Sequence, residues 1–494
     1  MRYRSTRGGE RDVTPSMAVL KGLAADGGLF MPEEIPAFDF KPEDLKGASY
    51  QEIAFRVMRL LLDDFDEDEL RSSIDKAYAT FDCDEVAPIT KADGVYYLEL
   101  YHGKTIAFKD IALSILPYLM TMASKKNGTT DKIVILTATS GDTGKAAMAG
   151  FADVPGTGIV VFFPKGGVSK IQELQMRTQE GSNTCAVAIH GNFDDAQTGV
   201  KKVFGDHAFG AKLKEQGVVL SSANSINIGR LVPQISYYVA SYVRFLENGV
   251  ISAGDEIDVC VPTGNFGNIL AAFLAKKMGL PIRKLICASN DNKVLYDFFT
   301  TGTYDKNRKF ILTTSPSMDI LISSNLERLI WLAAGGDDEK NAQLMKELST
   351  EGKYTVTDSM KEYIRDFEGG YATESEVAAK IKDLYEKTGY VIDTHTAVAS
   401  AVYDKLKAHG GHDVPVIIAS TASPYKFSAD VVSAITGEAK PADEFEAVDR
   451  LHALSGMPVP ETVERLRTAP IRHNMECDID VADIEETVLK AISE

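Results

Sequence analysis

Short apolar runs enriched in β-branched residues recur through the middle of the chain, at 131–139, 158–164, 184–191, 217–222, 257–262, 285–290 and 414–421. Each is bounded by Gly, Asp or Asn, the pattern of a strand buried on both faces. Between them, 169–180, 194–204, 229–246 and 267–278 carry apolar residues at helical spacing. Strand–helix alternation predicts an α/β fold with parallel sheets flanked by helices. So many strands predict two sheets rather than one. The first 85 residues read differently, as mostly helical (50–63 and 67–78) with acidic turns and prolines. After Gly437 the run Lys440-Pro441-Ala442-Asp443 reads as a linker into a helical tail rich in Glu and Asp. The expected division is therefore an N-terminal domain (1–85), a larger domain (86–130 with 215–436), a smaller α/β domain (131–214) and a helical C-terminal extension (437–494). The charged stretch 300–366 reads as either an insertion or a mobile flap.

With 494 residues the chain exceeds the size at which one core stops growing, about 250–300 residues. The net charge of −18 argues against a nucleic-acid binder, which would carry a basic face. A small anionic ligand would then need a local basic or amide-rich pocket. The N-terminal segment lacks an apolar signal region, and no apolar run approaches the roughly 20 residues that span a bilayer. The five cysteines are odd in number and form no CxxC pair, against a zinc or disulfide framework. The histidines form no metal-ligand cluster. A reducing, cytoplasmic setting and no membrane partner are expected.

Candidate chemistry lies in loops. Lys109 follows Ala107 and Phe108 and precedes an apolar run. Desolvation lowers a lysine pKa, and a neutral lysine can form a Schiff base with an aldehyde. The alternative is a lysine that lays its stem on an apolar surface with its charge in water. Thr137-Ala138-Thr139-Ser140-Gly141-Asp142-Thr143-Gly144-Lys145 runs from a strand into a helix. Free amides at such a helix start bind anions. Ser140 and Thr143 add hydroxyls, and Asp142 can cap the helix or accept a hydrogen bond. The same sequence also suits a plain, well-capped turn, with Lys145 solvated. Val261-Pro262-Thr263-Gly264-Asn265-Phe266-Gly267-Asn268 repeats the logic. Gly264 and Gly267 permit positive φ and close approach of a ligand. It is neither a P-loop nor a Rossmann fingerprint. A third strand-end loop carries Asn224, Ser225 and Arg230. A cation at a helix start opposes the helix dipole, so Arg230 suits an anion contact or a surface salt bridge. Thr421 ends the last apolar run, either facing a ring nitrogen or bonding at a strand end. His395, just before a helix, reads as structural.

Taken together, Tyr3–Gly8, Gly22–Leu29, His102–Asp110, Ser140–Gly144, Asn224–Arg230, Gly264–Asn268, Asp393–Ala397 and Ser420–Phe427 resemble, in order, the threonine synthase family of fold-type-II pyridoxal-phosphate enzymes. The resemblance covers nearly the whole chain. It implies a tryptophan synthase β-like α/β fold, with the cofactor pyridoxal 5′-phosphate in the larger domain. It implies that Lys109 holds the cofactor and that Gly264, Asn265, Phe266, Gly267 and Asn268 cradle its phosphate. Thr421 would face the pyridine nitrogen. Asp142, Ser140 and Thr143 would lie near the cofactor 3′-oxygen and the substrate carboxylate. Asn224, Ser225 and Arg230 would hold the substrate phosphate. Two departures stand out: Lys104 replaces the family's proline in His-Gly-Pro-Thr, and Ser423-Pro424-Tyr425 replaces His-Pro-Ala. Lys104 could add a cation to the phosphate pocket.

The implied reaction converts O-phospho-L-homoserine and water into L-threonine and phosphate, by a monomer or homodimer. A phosphothreonine phospho-lyase or another dehydratase on the same scaffold is the alternative. A catalytically dead binding module is a third, disfavoured by the presence of Lys109.

Overall fold

A computed structural model describes residues 1–139 and 141–493. Two sheets carry the molecule. The larger has six strands in the order Phe367–Tyr371, Ile282–Ser289, Ile257–Pro262, Val416–Ser420, Val95–Glu99 and Ile89–Ala92. Its strands are parallel except for the terminal hairpin, where Ile89–Ala92 runs antiparallel to Val95–Glu99. The smaller sheet is wholly parallel, in the order Met475–Cys477, Thr184–Ile189, Thr157–Pro164, Lys132–Ala138 and Val218–Ser221. Central strands such as Ile257–Pro262 and Thr157–Pro164 are buried at every position, because helices cover both faces.

Every strand predicted from the apolar runs is present, with ends shifted by a few residues. Two expected boundaries are corrected. Val218–Ser221 pairs with Lys132–Ala138, so the smaller unit extends past 214. The C-terminal extension is not purely helical, since Met475–Cys477 adds an edge strand beside Thr184–Ile189. Phe367–Tyr371 was illegible because its sequence, Phe-Glu-Gly-Gly-Tyr, is a poor strand former. Packing explains the glycines. A Cβ on Gly370 would lie 2.3 Å from Val402 Cγ1, and one on Gly369 would crowd Phe299 and Tyr296.

The N-terminal helices Tyr50–Leu61 and Glu67–Tyr78 are capped by Ser49 and Asp66. The first packs on Ile228–Glu247, a 20-residue helix buried nearly all round and central to the molecule. The stretch 300–366 is an ordered lobe. Thr303–Asp305 and Lys353–Thr355 pair antiparallel, and helices Leu326–Ala333 and Asp338–Thr350 pack beside them. Its Glu327 and Asp338 pair with Arg7 and Arg4, which ties the N-terminal strand to the lobe.

Candidate active site

Lys109 opens a short helix, Lys109–Leu113, behind a strained turn. Ile106 has φ 51°, a costly conformation for a β-branched residue. The Asp110 carboxylate holds the turn. It accepts from the Thr105 amide at 2.8 Å and the Thr105 hydroxyl at 2.5 Å. Burial raises the Asp110 pKa, opposed by those hydrogen bonds. Gly103 is needed here, because a Cβ would lie 2.4 Å from Asp110 Cβ. The Phe108 amide donates to Thr421 O at 2.9 Å, and the Ser423 amide to Ile106 O at 3.0 Å. The lysine turn is thus sewn to the end of strand Val416–Ser420, and Thr421 is buried beside it.

The Lys109 side chain is 14% exposed, with its amine 3.8 Å from Asp142 Oδ2. Burial pulls its pKa down to about 8, with Asp142 opposing and the Lys426 and Arg230 cations assisting. Asp142 joins four segments. It accepts from Gln172 Nε2 at 2.9 Å and Ser317 Oγ at 2.8 Å, and it pairs with Lys426 Nζ at 2.9 Å. Burial works against its charge, but Lys426, Lys109 and Lys145 outweigh burial and hold Asp142 well below the usual carboxylate range. Ser317 also donates its amide to His395 Nε2 at 3.2 Å, while His395 Nδ1 contacts Asp393 Oδ2 at 2.8 Å. His395 therefore has a structural tie to this junction.

Around the first loop one reading is decided between its alternatives and one is corrected. Asp142 does not cap its helix; Thr139 Oγ1 accepts from the Gly141 and Gly144 amides, both at 3.0 Å. Lys145 is not solvated. It is 1% exposed and bonds Gln175, and burial takes its pKa to about 7. Ser140 lies outside the described residues, and Thr143 is half-buried.

The second loop lies on the same junction. Gly264 and Gly267 are not in the positive-φ region; Phe266 is, at φ 65°. Gly264 is required instead by close approach, since a Cβ would lie 2.5 Å from Ser317 O. Phe266 is buried against Phe299 and Phe367. Helix Gly267–Met278 starts here, with its free amides toward the loop. Asn265 is exposed, and its carbonyl accepts from the Asn325 amide at 3.1 Å. Asn268 accepts from Tyr238 through Oδ1, and its buried Nδ2 has no partner among the described residues.

Arg230 is 4% exposed, so the surface salt bridge is excluded. Nη1 donates to Ala223 O at 2.8 Å, and Nε is buried without a partner among the described residues. No carboxylate pairs with it among the described residues. Burial alone lowers its pKa, to about 10, and it stays charged at neutral pH. Asn224 is exposed and Ser225 half-buried. Asn224 and Ile226 line two cavities, of about 570 and 690 Å³. Lys104 is exposed, and among the described residues its side chain makes no ion pair or hydrogen bond. No contact places it in an anion pocket.

Sequence reasoning missed Lys426, Gln172, Ser317 and Tyr238, and misjudged Lys145. The small apolar run Ala146-Ala147-Met148-Ala149 did signal burial around Lys145. The other four carry no local signal, because tertiary packing alone brings them to the site.

The parallel sheets, the desolvated lysine and the orphaned donors of Asn268 and Arg230 suit a phosphate-bearing aldehyde cofactor. Residues 80–421 match the family model described as pyridoxal-phosphate dependent enzyme. Fold and site together define a fold-type-II pyridoxal-phosphate enzyme. Residues 2–78 match the model for the threonine synthase N terminus, and 396–473 that for the threonine synthase C-terminal region. Threonine synthase of Schizosaccharomyces pombe is 39% identical over 466 residues, covering 88% of this chain and 89% of that protein. Human threonine synthase-like 1 is 42% identical over 434 residues, covering 85% of this chain. The chain spans 58% of the length of that human relative. The crystal structure of PLP-bound threonine synthase from Brucella melitensis superposes with a TM-score of 0.88 at 35% identity, covering 100% of both chains. The chain belongs to the threonine synthase family.

Proposed function

We propose that this chain converts O-phospho-L-homoserine and water into L-threonine and phosphate. The observation that carries the reading is a desolvated amine, Lys109, near a buried arginine, Arg230, that has no carboxylate partner among the described residues. The first suits an amine that must be neutral to react, and the second suits a phosphate-bearing substrate.

The residues present fit pyridoxal 5′-phosphate. Lys109 would hold its aldehyde carbon. Gly264, Asn265, Phe266, Gly267 and Asn268 would take its phosphate, through backbone amides at a helix start and the spare Asn268 amide. Thr421 would face the ring nitrogen, and Asp142 the edge of the ring near Lys109. When bound, the cofactor supplies an electron sink for negative charge developing at the substrate Cα.

The protein's part is binding and proton traffic. Arg230, with Asn224 and Ser225, holds the substrate phosphate, while Ser140 and Thr143 hold the carboxylate. Lys109 Nζ takes the proton from Cα, and with its pKa near 8 it can return protons as well as accept them. A second proton leaves Cβ as the Cγ–O bond to phosphate breaks. The proton lost from Cβ is matched by one gained at Cγ, water gives its hydroxyl to Cβ and its proton to the released phosphate, and Lys109 returns the proton to Cα. Arg230 stabilises the departing phosphate from a buried position, where its charge is less screened. In this reading the chain works on a small molecule in the cytoplasm, as a monomer or homodimer. Among the described residues no helix is long and apolar enough to cross a membrane.

The direct test is to incubate the purified protein with cofactor and O-phosphohomoserine and identify the products. Threonine and phosphate in equal amounts are expected. Phosphate with a 2-oxo acid, or phosphate release from phosphothreonine alone, would replace this reading with a phospho-lyase or dehydratase.

A further inference from the structure

Lys426 falls within the segment Ser420–Phe427, yet the sequence assigned it no chemical role. It sits in the turn Pro424–Phe427, which follows the strand that ends beside Lys109. Its side chain is 3% exposed. A lysine is almost never buried unless paired, and its ion-pair partner is Asp142. The Lys426–Asp142 contact is 2.9 Å, whereas Lys109–Asp142 is 3.8 Å. Gln172 and Ser317 fix the same carboxylate from two other segments. Asp142 is therefore tethered on three sides, and Lys109 receives the longest of its contacts.

We propose that Lys426 is a positioning residue that holds Asp142 off the Lys109 amine and keeps that amine free to act as nucleophile and base. This rests on the reading of Lys109 as the reactive lysine. A carboxylate closing on Lys109 would trap it as an ammonium ion, which neither attacks an aldehyde nor accepts a proton. Lys426 opposes this twice. It occupies Asp142, and its own charge disfavours a second ammonium nearby. The other charged groups facing Lys109 are Arg230 from the central helix and Asp110 from its own helix, while Lys145 adds a cation to the Asp142 cluster. The cations push the same way as Lys426. Asp110 opposes them, but the Thr105 hydrogen bonds turn its carboxylate toward the turn.

The test reads Lys109 directly, on the full chain freed of cofactor. Lysines are labelled competitively with acetic anhydride from pH 6 to 11, and mass spectrometry follows the Lys109 peptide. In the wild type the labelling midpoint is expected near 8. Lys426→Met should raise it by about one pH unit, which cuts the rate at pH 7 about tenfold. Lys426→Arg should restore the wild-type midpoint, which a packing role for the lysine stem would not require. Asp142→Asn should move the midpoint down, the opposite sign. An unchanged or lowered midpoint in Lys426→Met overturns the proposal. If that variant does not fold, the wild-type chain decides: Lys426, held by Asp142, should label more slowly than Lys109 at pH 8, and the reverse order overturns it. Because no turnover is measured, failure here is distinct from failure of the product assay.

Discussion

Replacing Arg230 with methionine should separate stability from binding. Burial lowers the Arg230 pKa to about 10, and that drop from the ordinary arginine value corresponds to roughly 3 kcal/mol of cost for keeping the charge in the folded protein. Set against this is the hydrogen bond to Ala223 O, worth about 1.5–3 kcal/mol for a charged donor. Methionine fills similar space without the charge. The two contributions nearly cancel, so the variant free of ligand should unfold within about 1 kcal/mol of the wild type in urea. Breaking a buried ion pair would instead cost about 3–5 kcal/mol. The folded pKa is depressed, so the cost is fully present below about pH 10 and fades only above it. The stability difference should accordingly be flat from pH 6 to 9. Catalysis should respond very differently. Each lost charge-assisted bond to phosphate is worth about 1.5–3 kcal/mol, so kcat/KM should fall roughly ten- to a hundredfold. Phosphate release under subsaturating O-phosphohomoserine measures this. A kcat/KM within threefold of wild type, or a stability loss above about 2 kcal/mol, would refute the view of Arg230 as a cation reserved for substrate.

Lys109→Ala should abolish threonine formation, and borohydride should no longer fix the cofactor to the chain, as read from intact mass, while circular dichroism stays native. Gly264→Ala should weaken cofactor binding by about 1–3 kcal/mol, because the new Cβ meets the Ser317 carbonyl; titration of the cofactor-free variant checks this, and unchanged affinity would remove the loop from the cofactor site. Lys145→Met should stabilise the cofactor-free protein by about 2–3 kcal/mol at pH 6. Charging this buried lysine costs stability below about pH 7, and the cost declines as pH rises toward the ordinary lysine value, so the variant's advantage should shrink by pH 9 in urea unfolding curves. Lys104→Pro should change kcat/KM by less than about fivefold, since an exposed cation contributes at most about 1 kcal/mol.

Periodicity alone determined a great deal of this protein. Strands such as Ile257–Pro262 and Thr157–Pro164 are legible because a strand covered on both faces must be apolar at every position. The helices between them follow from 3.6-residue spacing and local caps such as Ser169 and Asn192. The placing of the 264–268 loop at a strand end was likewise local. Phe367–Tyr371 and Met475–Cys477 were not legible, because their glycines and shortness make sense only against the partners they pack on. Whether a charged residue is solvated or buried was also beyond the sequence. Lys104 and Lys145 both sit near glycine-rich turns, yet one is exposed and the other is sealed against Gln175. Arg230 looks like any helix-start arginine until the fold shows it buried, with no carboxylate paired to it among the described residues. The state of Asp142 depends on Lys426, Gln172 and Ser317, which lie up to 284 positions away and reach it only when the sheets and the 300–366 lobe pack together. Local spacing sets secondary structure because backbone hydrogen bonds and side-chain faces are local, whereas the charge state of a buried group is set by whatever the folded chain brings within a few ångströms of it.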